Sequence, residues 1–172
     1  QETMPVTYTQ ALPSCTWGLE KWGEMFTDRQ IIFMNLLVLQ LDQIKLDFGD
    51  SLSEYHKSIV LYLAMYVDKL ATFNTSYGRW DSKTELLKTP FARQAIPMIF
   101  DFPETTNFHK STGGAITQIR YIVNYIKAEG NNNFPSIIIN SSSGDIKQFS
   151  ENYFDITVTD PPYFDAIAYA DL

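Results

Sequence analysis

Asp160-Pro161-Pro162-Tyr163 gathers residue types that accept hydrogen bonds and offer a flat ring. Two consecutive prolines fix φ and remove two amide donors, so their carbonyls can only accept, beside a carboxylate that also accepts. An exocyclic amine has two N–H donors and a poorly nucleophilic lone pair. A set of fixed acceptors could hold such an amine and favour the charge it gains on attack. Tyr163 adds a face for stacking on a base rotated out of its duplex. The apolar run Phe154 to Thr159 comes directly before the motif and reads as a strand, which would put the motif at the carboxyl edge of a sheet, where open α/β folds bind ligands. The plainer reading is a rigid turn that ends the strand, with Asp160 on the surface.

Other polar groups compete for a role. Arg79, Trp80, Arg93 and Gln94, with Lys83 and Lys88, make a locally basic, aromatic stretch that could meet phosphates or bases. A Trp and an Arg in a turn more often tie helices together by stacking and carbonyl hydrogen bonds. His56 and His109 are far apart and have no Cys or carboxylate at metal-ligand spacing, so no metal is expected. Gly113-Gly114 follows no strand and reads as a loop and cap. No Ser/His/Asp arrangement and no GKS or GKT phosphate loop is present, so hydrolase and triphosphatase readings have no residues to stand on.

With these residues in view, the run FDITVTDPPYFDAIAYADL resembles the catalytic strand and loop of amino-group DNA methyltransferases, whose [DNS]-P-P-[YFW] motif it matches. The chain is also similar to a family of bacterial and archaeal DNA methylases with an N-terminal domain of unknown function. The likeness is carried by Trp22 to Gln30 (W-G-x-x-F-T-x-R-Q), by Asn74 to Trp80 (NTSYGRW, one residue shorter than N-x-S-x-x-x-R-W) and by Phe91 to Met98 (F-A-R-Q-A-x-P-M). The resemblance implies methyl transfer from S-adenosylmethionine to an amino nitrogen of adenine, or less readily cytosine, in double-stranded DNA. In that chemistry Asp160, Pro161 and Pro162 would hold the amine and Tyr163 would stack. Adenine is favoured because the motif begins with Asp. Ser142 to Ile146 resembles the segment beside the cofactor's adenine, which would let Asp145 contact it; a polar turn capping a crossover is the equal alternative. The family's glycine-rich cofactor turn is not in this sequence, so the expectation is an internal fragment, silent by itself. The alternative is a helical module that positions DNA or a partner subunit without chemistry of its own.

The elements that must position these residues can be read from periodicity. The first 26 residues have no sustained period and read as a lead-in that packs Trp17 and Trp22 on the residues after it. Thr27 with Gln30 is a capping box, and Phe33, Leu37, Leu41, Ile44 and Phe48 recur at helical spacing before Gly49. Ser51 with Glu54 reads as a second box, opening a helix with a stripe of Tyr55, Ile59, Tyr62, Tyr66, Leu70 and Phe73. At helical spacing this aromatic stripe reads as core. Pro90 and Pro97 limit FARQAI to a short, kinked element. Thr112 can cap a third helix whose buried stripe is Ala115, Ile119, Ile122 and Ile126, ending at Gly130. Ile137 to Ile139 then forms a β-branched block, and the fourteen residues between Asn140 and Asp155 suffice for a crossover to a parallel strand over Phe154 to Thr159. The expected architecture is α/β with a mainly α body: residues 1–130 helical, and residues 131–172 the start of a Rossmann-like methyltransferase sheet.

Composition sets the outer limits. Apolar residues at 45% and charged residues at 19% describe a chain that folds and does not stay disordered. Thirteen basic against twenty acidic residues, net −7, exclude nucleic-acid binding by bulk charge, so any DNA contact must be local. The single cysteine, Cys15, cannot form an internal disulfide, and no signal-peptide pattern opens the chain, which makes the cytoplasm the default expectation. Charges interrupt every apolar stretch, so no membrane partner is expected.

Overall fold

Thr27 starts the first long helix by the reciprocal bonding its sequence calls for. Its hydroxyl accepts from Gln30 N–H at 3.4 Å, and Gln30 Oε1 accepts from Thr27 N–H at 2.9 Å. The computed structural model describes residues 2–4, 15, 17–49, 52–91, 95–130, 136–142, 144 and 149–161. Its elements are a 3-10 turn (Trp22–Met25), α1 (Asp28–Asp47), α2 (Glu54–Ala71), β1 (Arg79–Asp81), β2 (Leu86–Lys88) and α3 (Ala115–Glu129). The coarse expectation of a mainly helical α/β chain therefore stands.

Helix α1 turns its Phe33, Leu37, Leu41, Ile44 and Phe48 stripe inward. It stops at Gly49, whose φ of +82° lies in the left-handed region that favours glycine. The corner to α2 is closed by Phe48 and His56, whose rings stack 4.2 Å apart and 8° from parallel. His56 thus has a packing role. The cap of α2 is Ser53, whose hydroxyl accepts from His56 N–H, and not the expected Ser51, which lies outside the described residues. Ser53 directly precedes the helix, the position from which a short hydroxyl reaches the first free N–H groups. The expected α2 stripe is buried or half-buried from Ile59 to Phe73, but Tyr55 is exposed in the first turn, its ring 6.0 Å from that of His56 and tilted by 54°.

Past α2 the chain makes a knot. Leu70, Asn74 and Thr75 are almost wholly buried. Asn74 Nδ2 donates to Leu70 O at 2.9 Å, and its Oδ1 accepts from Asn107 Nδ2 at 2.7 Å. The Thr75 and Ser76 hydroxyls both donate to Met25 O at 2.8 Å, fastening the 3-10 turn to the end of α2. The next residues form an antiparallel hairpin, with Arg79 opposite Lys88, Trp80 opposite Leu87 and Asp81 opposite Leu86. The run Asn74 to Asp81 reads as turn-rich from its sequence, so β1 is a correction and β2 an addition. Their three-residue length is too short to show a period of two.

Helix α3 packs on α2, and Tyr66 Oη donates to Ala115 O at 3.0 Å. Its cap is Gly114, in keeping with the loop-and-cap reading of Gly113-Gly114, and not Thr112. A Cβ on Gly114 would lie 2.1 Å from His109 O, so the close approach of the loop admits only glycine there. Thr112 instead offers its carbonyl to the Gln118 side chain. The stripe expected to be buried is only partly covered: Ala115 and Ile122 are half-buried, whereas Ile119 and Ile126 are exposed. One neighbouring helix cannot cover a full apolar face.

The main core gathers Met4, Met25, Tyr77 and Ile96, with Cys15, Leu19, Trp22 and Phe26 around it. Residues before the 3-10 turn are held by a bridge between Thr3 and Lys21. Trp22 packs as expected, but Trp17 is exposed. Ile96 is the buried anchor of the proline-bracketed segment, of which residues 92–94 lie outside the described set. The two expected strands of the last third have no ladder partner among the described residues. Ile138 and Val158 are 94% and 89% exposed. A strand holds its geometry only when its N–H and C=O groups pair with a neighbour, and none is paired here, so a Rossmann-like sheet is not part of the described structure. No described helix is long and apolar enough to cross a membrane.

Candidate functional site

Asp160 and Pro161 follow a solvent-exposed run from Ser150 to Thr159 that turns at Glu151 and Asn152 and bends at Asp155, and both are exposed themselves. The carboxylate and the first proline carbonyl are therefore open to a ligand. Pro162 and Tyr163 lie outside the described residues, as do Asp145, Arg93 and Gln94. Just before the motif, Phe149, Tyr153 and Phe154 form a ring cluster with centroids 4.7 to 4.9 Å apart. Motif reasoning misses this cluster, although three aromatics within six residues, two of them adjacent, are its signal.

Arg79 and Trp80 sit side by side on β1, both exposed, and alternate sides of a strand separate their side chains. Trp80 lines a cleft of about 510 Å³ between the hairpin and residues 103–113, with His109, Lys110, Ser111 and Thr112 on the facing wall. Two carboxylates also line it, Glu85 and Glu104. Glu104 is held by Arg29, which donates to both its oxygens at 2.9 and 3.0 Å, and Thr27 Oγ1 donates to it at 3.3 Å. The same contact pushes the Arg29 guanidinium above its usual value, through the hydrogen bond first and the charge of Glu104 second. Lys88, a phosphate-binding candidate by sequence, lies 3.7 Å from the Asp81 carboxylate instead. Asp81 is held below the usual carboxylate range by the Thr84 hydroxyl, then by the Lys83 N–H at 3.0 Å, with Lys88 a smaller cause.

The three motifs of the helical body meet in space. Met25 from the first, Tyr77 from the second and Ile96 from the third are three of the four buried residues of the main core. Their shared job in the described structure is packing. The exposed polar members, Arg79 and Trp80, are left over from that packing and face water.

A second hollow, about 680 Å³, runs between α2 and α3 and is lined by Tyr62, Met65, Phe73, Tyr121, Ile122 and Tyr125 among others. Burial pushes the Tyr66 phenol, whose hydroxyl crosses to α3, above its usual value. Among the described residues no three His, Cys, Asp or Glu side chains gather as a metal site. Searches against protein-family models, curated proteins and solved structures found nothing that matches this chain.

Proposed function

We propose that the chain is the helical body and catalytic-motif segment of an S-adenosylmethionine-dependent amino-group DNA methyltransferase, acting on adenine in double-stranded DNA. The observation that carries this reading is the order of residues: a β-branched apolar run, Phe154 to Thr159, followed at once by Asp160-Pro161-Pro162-Tyr163. Asp160 and the proline carbonyls accept from the target amine, and Tyr163 stacks on the flipped base. The exposure of Ile137, Ile138, Ile156 and Val158 supports it, because β-branched side chains in water are the material of strands awaiting neighbours. In this reading the cofactor's glycine-rich turn and the remaining strands are supplied outside this sequence.

S-adenosylmethionine would bring the electrophilic methyl group. The residues of this chain would hold the amine in line with it and exclude competing donors. Cytosine is the second choice of base. The test is single-turnover methylation of duplex DNA by the product of the full reading frame. Asp160→Ala should lower the rate by ~10²–10³, the usual cost of one preorganised group, with cofactor affinity kept. Tyr163→Ala should weaken capture of the base by roughly 1–3 kcal/mol. Full activity in Asp160→Ala would reduce the motif to a turn. The 172-residue chain by itself should give no saturable heat on titration with S-adenosylmethionine, and micromolar binding would reject the fragment reading.

A second reading is favoured by one observation, the exposed Trp80 beside Lys110 and His109 in the hairpin cleft. There the helical body positions single-stranded or flipped nucleic acid without chemistry. Trp80→Ala would then weaken DNA binding while leaving methyl transfer at saturating DNA unchanged.

A further inference from the structure

Helix α1 carries a second apolar stripe, turned away from the first. Ile32, Leu36, Leu39 and Leu46 are 60%, 55%, 61% and 71% exposed. With Gln43 they fall at spacings of four, three, four and three, the alternation of the a and d positions of a heptad seam. The inner stripe, Phe33 to Phe48, already packs α1 on the body, so this outer seam is spare. Gln43 is the single polar residue in it, and such a residue sets register at a seam.

The residues that flank the seam decide what fits it. The g positions are Asp28, Asn35 and Asp42, and the e positions are Phe33, Gln40 and Asp47. No flank is basic. Lys45 is on the far side of the helix, and Arg29, at the a position one heptad before Leu36, is engaged with Glu104. A second copy of α1 in parallel would set Asp42 against Asp47 of the other copy, and in either orientation it would bring no basic flank to meet these carboxylates, because parallel pairs oppose e to g and antiparallel pairs oppose like positions. The uncharged flanks add nothing to offset that repulsion. Within this sequence, the residues outside the described set include two basic side chains, Arg93 and Lys147, and they lie in separate segments.

We propose that this outer face of α1 docks a helix of a partner protein, amphipathic, with leucine-like residues at its seam and Lys or Arg beside it. Apolar burial supplies the affinity, and the complementary flanks select the partner and its register. The proposal is independent of the methyl-transfer reading, since it uses none of the residues assigned to that chemistry.

The test uses the 172-residue chain and two labelled three-heptad peptides with Leu at a and d, one with Lys and one with Glu at e and g, read by fluorescence anisotropy. The lysine peptide should bind, more weakly as salt rises, and the glutamate peptide should not. Replacing Leu36 and Leu39 together with Ser should weaken binding about tenfold or more while circular dichroism and net charge stay unchanged, because both side chains are exposed. Asp42→Lys with Asp47→Lys should move the preference to the glutamate peptide. Equal binding of both peptides, binding of neither, or indifference to the leucine changes would overturn the proposal. So would a concentration-dependent dimer in sedimentation that the same leucine changes dissolve, which would give the seam to a second copy.

Discussion

Asn74 shows how a single side chain can carry a junction. It is almost wholly buried, with its donor on Leu70 O and its acceptor on Asn107. Asn74→Ala removes both bonds at once; Leu70 O keeps its backbone bonds from Phe73 and Asn74 N–H, but the Asn107 amide loses its acceptor, and such a loss typically costs ~1–3 kcal/mol. We expect a clear loss of stability in urea titration, larger than for Asn107→Ala, and equal losses would mean that the junction does not depend on Asn74. Asp81 gives a pH-dependent counterpart. Its folded carboxyl lies below the usual value, so its contribution is present above the unfolded pKa and is lost as pH falls through the lower, folded one. Acid should therefore loosen the hairpin turn, seen as a lower protection of the Lys83 amide relative to its intrinsic exchange rate at each pH. In Asp81→Ala that protection should be low at every pH; an acid-induced change persisting in the variant would assign it to another group. Cys15 is shifted the other way: burial pushes its thiol up. At neutral pH it should alkylate more slowly than the same thiol in urea-unfolded chain.

At the scale of elements, α1 and α2 were legible because apolar positions recur over four to five turns in each; the cap of α1 was legible too, whereas at α2 Ser53 and not Ser51 stands just before the first turn. The hairpin was not, since three-residue strands show no period, yet its turn chemistry was readable: Asp81 accepts from Lys83 N–H, the local bond that Asp makes two residues on. Glu85, at φ +50°, then completes the reversal. At the start of α3 the sequence offers both Thr112 and the glycine pair as caps, and the close approach of the His109 carbonyl, a tertiary contact, selects Gly114. Cap substitution checks the difference. Thr27→Ala should cost ~1 kcal/mol, a typical N-cap value, through loss of its bond from Gln30 and its contact with Glu104. Gly114→Ala should cost more, because its Cβ would meet backbone that cannot swing away. A smaller effect at Gly114 than at Thr27, by thermal or urea melting, would show that the loop yields.

At the scale of the whole molecule, the sheet expected to present the motif is not recovered among the described residues, and the physical reason is pairing. A helix closes its hydrogen bonds within its own segment, so α1, α2 and α3 are complete as they stand; a strand depends on another segment for all of its ladder. Ile137 to Ile139 and Phe154 to Thr159 have apolar, β-branched side chains and no ladder partner among the described residues. Native-state hydrogen exchange should therefore divide the chain. Amides of Leu70 to Tyr77 and the middle turns of α2 should be the slowest, because burial and side-chain bonds both oppose their opening. Amides of Ile137 to Ile139 and Ile156 to Val158 should exchange near the rate of unstructured peptide. The same segments should bind a dye that reports exposed apolar surface, and Ile138→Ser with Val158→Ser should reduce that signal without moving the melting temperature, since neither side chain touches the core. Protection of these amides in the 172-residue chain would show that the segments pair, within the chain or between copies, and sedimentation at two concentrations would separate those cases. In the full reading frame, the methyltransferase proposal requires both segments to become protected as inner strands, and Asp160 to stay exposed at their carboxyl edge.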